Sequence, residues 1–496
     1  MDVVKTASEP SASATRGLDR SLFQGIAWTA VWRWIAQAVS WLGTLYVARI
    51  LTPGDYGLVA MAAIPIGFAR LIEDLGLDAI ILQDRSLNDD QLRRLAGAAL
   101  LLGAGLTLLF LGFSIPISLY FREPQVAGVV CALSLTFILD SLQILPRALL
   151  QRDLQFRTLA WINSLQVSSG TAVMVMAAWA GMNYWSLVVN TILSYALVTV
   201  VLYLHRPFTP AWPTDLHRLT RSLTSGWNIL VSRMAYYGYS SADSTIIGRL
   251  LGKDALGIFG FASTFAALPV REVTSLVSGV VPGVFTAVQN DRPALRRYFL
   301  LLTEAISILT LPAAFGLAIT ADDFVLLALG ERWTGVIEPL RLMSIYMAVY
   351  SCQSLLGHVL MWTGHFSINM WLTLFALLVL PGCFYAGAQY NLTGVAIAWV
   401  IGFPLAILPG IVAVKRILGI SWSQYSVPFR PAITGCICML AAVFLVRLVL
   451  PADWHHGPRL GMQALTGVLA YIGVMWWLFE GRVRELYQIV LASREA

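Results

Sequence analysis

Apolar runs of about twenty residues, each closed by a short polar stretch, recur fourteen times along the chain, centred near residues 36, 69, 106, 137, 170, 195, 236, 270, 309, 349, 377, 403, 439 and 470. A helix of that length spans the hydrocarbon core of a bilayer, so the pattern predicts an all-α polytopic membrane protein with fourteen transmembrane helices. Helix and loop together average about 35 residues, which leaves no space for an extramembrane domain. Residues 1–20 are polar and rich in Ser and Ala, with no short apolar region and cleavage site behind them. They read as a disordered tail, and the first helix is retained.

Composition agrees with this pattern and excludes several classes. The chain is 58% hydrophobic and only 12% charged, whereas soluble domains carry about 25% charged residues. A cytosolic enzyme is excluded. Cys131, Cys352, Cys383, Cys436 and Cys438 lie inside apolar runs, without zinc or disulfide spacing, and are expected to be buried packing residues. His358, His455 and His456 lack metal partners at useful spacing. The string GRLLGKD at 248–254 has the wrong spacing for a nucleotide-binding loop, so ATP hydrolysis by the chain itself is not expected. Neither a metal nor a cofactor is implied.

Charge sets the orientation. There are 33 Lys and Arg against 27 Asp and Glu, and only Lys5, Lys253 and Lys415 are lysines. With the N-terminus in the cytoplasm, 21 basic residues fall inside, in seven groups of three that include Arg292, Arg296 and Arg297 as well as Lys415, Arg416 and Arg430; seven fall outside. That bias follows the positive-inside rule, puts both termini in the cytoplasm and predicts an even number of spans. No basic tail interleaved with aromatics is present, so nucleic acid is not an expected partner.

Five arginines remain: Arg33, Arg70, Arg233, Arg271 and Arg341. Arg33 and Arg233 are 200 residues apart, as are Arg49 and Arg249, and Arg70 and Arg271 are 201 apart. Ser40 pairs with Ser240 and Gly57 with Gly257 at the same offset; Ser141, Gln143 and Phe156 meet Ser351, Gln353 and Phe366 at an offset of 210. Helices one to six therefore repeat as seven to twelve. Each half starts on the same side, so the halves should be related by an axis along the membrane normal and enclose a central cavity. The expected organisation is a cytoplasmic tail 1–20, an N lobe 21–205, a cytoplasmic linker 206–222, a C lobe 223–416, two appended helices in 417–480 and a cytoplasmic tail 481–496.

Arg33, Gln37, Ser40 and Thr44 form a polar stripe on the first helix, and Arg233, Tyr237, Ser240 and Ser244 repeat it on the seventh, with Asp243 on an adjoining face. On the second helix Arg70, Asp74 and Asp78 follow helical spacing with Glu73 beside them; on the eighth, Arg271 stands next to Glu272. A charge at the bilayer centre costs about 2.5–3.5 kcal/mol on insertion scales, so each needs a partner or a cavity. Two readings are open. Asp74, Asp78, Asp243, Glu73 and Glu272 either pair locally with the arginines or couple transport to a cation. The arginines either pair with them or line a cavity as a clamp for an anion, since the guanidinium fork matches phosphate oxygens and keeps its charge when desolvated. Outside the membrane the single acidic pair is Asp322 and Asp323, and no outer loop exceeds about 16 residues, which argues against a glycosyltransferase or polymerase.

The run VARILTPGDYGLVAMAAIPIGFARLIEDLGLDAIILQ at 47–83, LLQRDLQFRTLA at 149–160 and Tyr184-Trp185-Ser186-Leu187-Val188 resemble bacterial polysaccharide flippases of the colanic-acid-exporter type, within the multidrug, oligosaccharidyl-lipid and polysaccharide exporter superfamily. That resemblance implies two lobes in the inner membrane and alternating access. The implied cargo is an undecaprenyl-diphosphate-linked oligosaccharide for exopolysaccharide or lipopolysaccharide assembly, with a polysaccharide polymerase and export machinery as further partners. It also implies a cationic cavity, matched in kind by Arg33, Arg70, Arg233 and Arg271. A cation-coupled drug exporter and a lipid II flippase share the superfamily and stand as alternatives.

Overall fold

The computed structural model describes residues 37–73, 81, 87–213, 231, 233–288, 291–451 and 454–495. Among them every regular element is a helix: α1 (37–50), α2 (Pro53–Glu73), α3 (Asp89–Phe121), α4 (Gln125–Arg152), α5 (Phe156–Trp179), α6 (Trp185–His205), α7 (Ala242–Leu250, led by helical residues 233–240), α8 (Gly252–Val288), α9 (Arg292–Ile319), α10 (Ala321–Ala328), α11 (Ile337–Gln353), α12 (Leu356–Trp362), α13 (Phe366–Ala388), α14 (Leu392–Leu418), α15 (Trp422–Ser426), α16 (Arg430–Val449) and α17 (His456–Glu495). Ten described helices are long and apolar enough to cross a membrane. All ten coincide with apolar runs of the sequence, and the protein is a multi-pass membrane protein. Of the other four runs, that near 170 falls in α5, which is threaded with Asn163, Gln166, Ser168 and Ser169, and that near 349 falls in the 17-residue α11. The runs near 36 and 236 lie partly outside the described residues.

Helix ends are closed where the sequence supplies the chemistry, as they must be where water is scarce. Asp291 caps α9 by accepting from the Ala294 N–H at 3.1 Å, with Pro293 in the first turn. Asn391 caps α14 in the same way, and Gly419 ends it at φ 64°. Ser421 and Gln424 form a reciprocal capping box on α15.

The chain divides into two compact units: Met1–Ile50 with Ala69–Ile115 and Ala127–Trp227, and Leu51–Phe68 with Pro116–Val126 and Asn228–Ala496. In the first, α1 rests on α5, where the Trp179 indole donates to the Tyr46 hydroxyl at 2.8 Å. Leu150, Ile162, Val198 and Leu202 knit α4, α5 and α6. In the second, one apolar cluster joins α9, α12 and α14 around Phe299, Val359 and Val414, and another joins α9, α16 and α17 around Ala314, Met439 and Tyr471. The last two helices are thus bound into the second unit, with the Tyr471 hydroxyl donating to the Ile308 carbonyl at 2.8 Å. The cysteines correct one expectation: Cys436 is buried, but Cys438 is exposed and the other three are half-buried.

Backbone geometry repeats at the offsets read from sequence. α4 ends with Leu154 at φ 56° and α12 with Gly364 at φ 79°, 210 residues on. The surrounding bonds match one for one: Gln155 N–H to Leu150 O and Leu154 N–H to Gln151 O, against His365 N–H to Leu360 O and Gly364 N–H to Met361 O. Both are the two-bond left-handed helix stop. Within the second unit, the starts of α2 and α8 cross through a reciprocal pair. A Cβ on Gly57 would stand 1.8 Å from the Lys253 carbonyl oxygen, and one on Gly257 would stand 1.9 Å from that of Pro53. Only glycine fits at either place.

Candidate functional site

In the first unit the site grows around Arg70, in the last turn of α2. One of its terminal nitrogens donates to the Tyr195 hydroxyl of α6 and the other to Thr136 Oγ1 of α4 at 3.1 Å. The guanidinium carbon also lies 5.0 Å from the Tyr195 ring centroid, a cation–π contact. Asp140 and Glu73 are within electrostatic range of it, and Arg147 within range of Asp140. Glu73 is buried and accepts from the Ser141 hydroxyl at 2.9 Å. Gln143, one helical step further, donates to the Tyr195 carbonyl and to Thr199 Oγ1, both at 3.0 Å, and so fixes α6 against α4. The result, among the described residues, is a half-buried cation oriented by hydroxyls and a π face. A guanidinium has five N–H donors, and two are accounted for by Tyr195 and Thr136.

In the second unit the buried ionisable group is Asp243, in the first turn of α7. The Trp399 indole of α14 donates to its Oδ2 at 2.9 Å, and the Ser244 backbone N–H donates to its Oδ1. Trp399 sits in an aromatic cluster, 4.5 Å from Tyr346 and 4.7 Å from Phe384 between ring centroids. Tyr350 extends the cluster and shares a hydrogen bond with Tyr236, which is half exposed and lies 5.2 Å from Tyr239.

The remaining expected site residues scatter. Arg33, Asp74 and Asp78 lie outside the described residues. Gln37 is exposed, and Ser40 and Thr44 are half-buried on α1. Arg233, Arg271 and Glu272 are exposed. Tyr237 donates its hydroxyl to the Ile64 carbonyl at 2.9 Å and packs over Gly67 and Phe68, a role in holding helices together. Ser240 donates to the Tyr237 carbonyl, and Ser244 serves Asp243 through its backbone. Among the described residues Asp243 is held by an indole and a backbone amide, not by Arg271. Tyr195, Thr136, Asp140 and Trp399 were not singled out from sequence. Asp140 carried a usable signal, as the sole acid in the otherwise apolar α4.

The acidic pair Asp322 and Asp323 is committed to structure. Asp322 is ion-paired to Arg341, at 2.5 Å, and to Arg447. Asp323, buried, accepts from Gln463 Nε2 at 2.8 Å and contacts His456 Nδ1 at 2.9 Å. These bonds tie α10 to α11, α16 and α17, and they account for Arg341, the last of the five arginines left over from the topology count.

Fold and site together define a polytopic helical membrane protein that holds charge inside its spanning helices. The family model described as "Polysaccharide biosynthesis protein" matches residues 46–338, and the chain belongs to that family. It is similar to the lipopolysaccharide biosynthesis protein WzxC of Escherichia coli (strain K12), 24% identical over 82% of this chain and 84% of that one. It is also similar to the succinoglycan biosynthesis transport protein ExoT of Rhizobium meliloti (strain 1021), 23% identical over 90% of each chain. Among solved structures, the lipid II flippase MurJ in an inward closed conformation superposes with a TM-score of 0.74 at 12% identity, covering 92% of this chain and all of that one. An inward-facing multidrug resistance MATE family transporter gives 0.62 at 15% identity, over 78% and 96%. The fold is one shared with a lipid II flippase and a MATE family transporter.

Proposed function

We propose that this chain is a flippase that carries a polyprenyl-diphosphate-linked oligosaccharide unit across the bacterial inner membrane by alternating access, supplying exopolysaccharide or lipopolysaccharide assembly. The observation that carries the reading is Arg70: a cation inside a membrane helix, bonded among the described residues to Tyr195 and Thr136, with Asp140 and Glu73 in electrostatic range. Such a group is costly without a partner or a cavity, and the guanidinium fork suits a phosphate. In the full reading Arg33, Arg233 and Arg271 join it on the diphosphate. The chain has fourteen helices with both termini in the cytoplasm, and the lobes run 21–205 and 223–416, followed by the helices of 417–480. The names of the relatives, lipopolysaccharide biosynthesis and succinoglycan transport, support a sugar-bearing cargo. A polymerase acting on the delivered unit is the natural partner.

One observation favours a second reading. Asp243, buried in a membrane helix, is the kind of group a cation-coupled exporter protonates. The two readings meet if Asp243 couples the flippase to a cation gradient. The test is complementation of a strain lacking this gene and unable to make its surface polysaccharide. Arg33→Ala, Arg233→Ala and the double variant are expected to lose export with protein levels normal; unchanged polysaccharide in all three would overturn the flippase assignment.

A further inference from the structure

At the end of the second unit where α9 begins, two cavities adjoin and share Arg292. One, of about 490 Å³, is walled by Leu295, Trp362, His365 and Ile417; the other, of about 520 Å³, by Arg296, Arg297, Leu300 and Leu418. Leu295 and Leu418 are 2% and 4% exposed and belong to the packed core around Phe299. Buried leucines therefore lie beneath both cavities, and the rim is cationic. Arg292 and Arg297 are exposed and Arg296 is half-buried, and among the described residues none of the three forms an ion pair. The neighbouring acid, Asp291, has its Oδ1 engaged by the Ala294 N–H as the helix cap.

The surroundings place this rim at a membrane surface. It lies at the mouth of the spanning helices α9 and α14. Lys415, in the last turn of α14, stands 4.4 Å above the Trp422 ring of the short surface helix α15, and Trp362 closes the first cavity. Tryptophan and basic side chains gather at the level of lipid headgroups. By the charge count this is the cytoplasmic face. Basic pockets between spanning helices on that face are suited to anionic headgroups, with the phosphate on the arginines and the acyl chains on the aliphatic floor.

We propose that these paired cavities bind the phosphate headgroup of an anionic phospholipid from the surrounding leaflet, separately from the cargo and independently of whether the transport reading holds. Three arginines over two adjoining cavities suit a headgroup with two phosphates best, so diphosphatidylglycerol should bind more tightly than phosphatidylglycerol. Phosphatidylethanolamine, zwitterionic, should bind weakly.

The test is lipid binding to the full-length protein in detergent, read by native mass spectrometry and by the shift in melting temperature on adding each lipid. The triple variant Arg292→Gln, Arg296→Gln, Arg297→Gln should bind diphosphatidylglycerol about tenfold or more weakly, as three basic groups near a charged surface each contribute a factor of a few. Arg332→Gln, on an exposed residue away from the cavities, should bind as the native chain does. Arg→Lys at all three positions keeps the charge and should retain most of the affinity, which guards against misfolding of the Gln variant. Equal binding by the native chain and the Gln variant would overturn the proposal. So would displacement of the phospholipid by millimolar inorganic phosphate, which would mark a free-anion site, or by a polyprenyl diphosphate at equal concentration, which would mark a dock for the cargo.

Discussion

The stretch of α4 from Leu133 to Gln143 and the stretch of α11 from Met343 to Gln353 occupy the same place in the 210-residue repeat, and they do different chemistry. Ser141 donates to Glu73 and to the Phe137 carbonyl, whereas Ser351 accepts from Thr310 and donates to the Ala348 carbonyl. The serine is kept at the helix contact in both. Around it, Thr136 and Asp140 of α4 are replaced by Tyr346 and Tyr350 of α11. The first stretch serves a cation, Arg70; the second builds an aromatic wall beside Asp243 and Trp399. Arg271, the counterpart of Arg70, is exposed where Arg70 is half-buried and bonded. Duplication preserved the scaffold and let the chemistry diverge. One copy orients a cation with hydroxyls, and the other packs buried rings around a carboxylate.

If that division holds, removing the bonded arginine should hurt most. Arg70→Ala leaves Tyr195 and Thr136 without the cation they orient and is expected to reduce polysaccharide export at least tenfold, while Arg271→Ala costs less; equal losses in a complementation assay would erase the distinction between the halves. Next in size is Trp399→Phe, which removes the indole donor from buried Asp243 but keeps most of the ring volume. A buried acceptor losing a donor costs about 1–3 kcal/mol, so the melting temperature in detergent should fall, and an unshifted midpoint would show that Asp243 does not depend on the indole. The smallest effect tests the shared scaffold. Gly364→Leu puts a side chain at φ 79° and should destabilise by about 1 kcal/mol, while Leu154→Gly relieves φ 56° and should be neutral or stabilising. The same sign of shift in both variants would mean that the two turns are not equivalent.

Much of the architecture could be read from the chain because it rests on local repetition. Ten described helices follow the apolar runs, and the 200- and 210-residue offsets reappear in the hydrogen bonds after α4 and α12. The partners of the charged groups were less accessible. Helical spacing suggested for Arg70 the partner Asp74, which lies outside the described residues; the described contacts come from Thr136 and Tyr195, 66 and 125 residues away. Asp243 finds Trp399 at a separation of 156. Spacing along one helix identifies which residues share a face. Which foreign helix meets that face depends on packing, and packing leaves no periodic trace. The replacement of Asp140 by Tyr350 was nonetheless open to inspection once Ser141 and Ser351 had been aligned.

The crossing of Gly57 and Gly257 carries a mechanical consequence. Each carbonyl oxygen sits over a bare α-carbon, so at the crossing point itself the contact is dispersion and weak C–H···O, flanked by the Tyr56–Phe261 ring contact and the Lys253–Glu123 ion pair. Joints of that kind behave as a clasp and not as a glue. They close to a defined register. Because Pro53 and Lys253 each press on the partner's glycine, neither half of the clasp can open alone, and any displacement that lifts one helix start from the other frees both contacts in a single step.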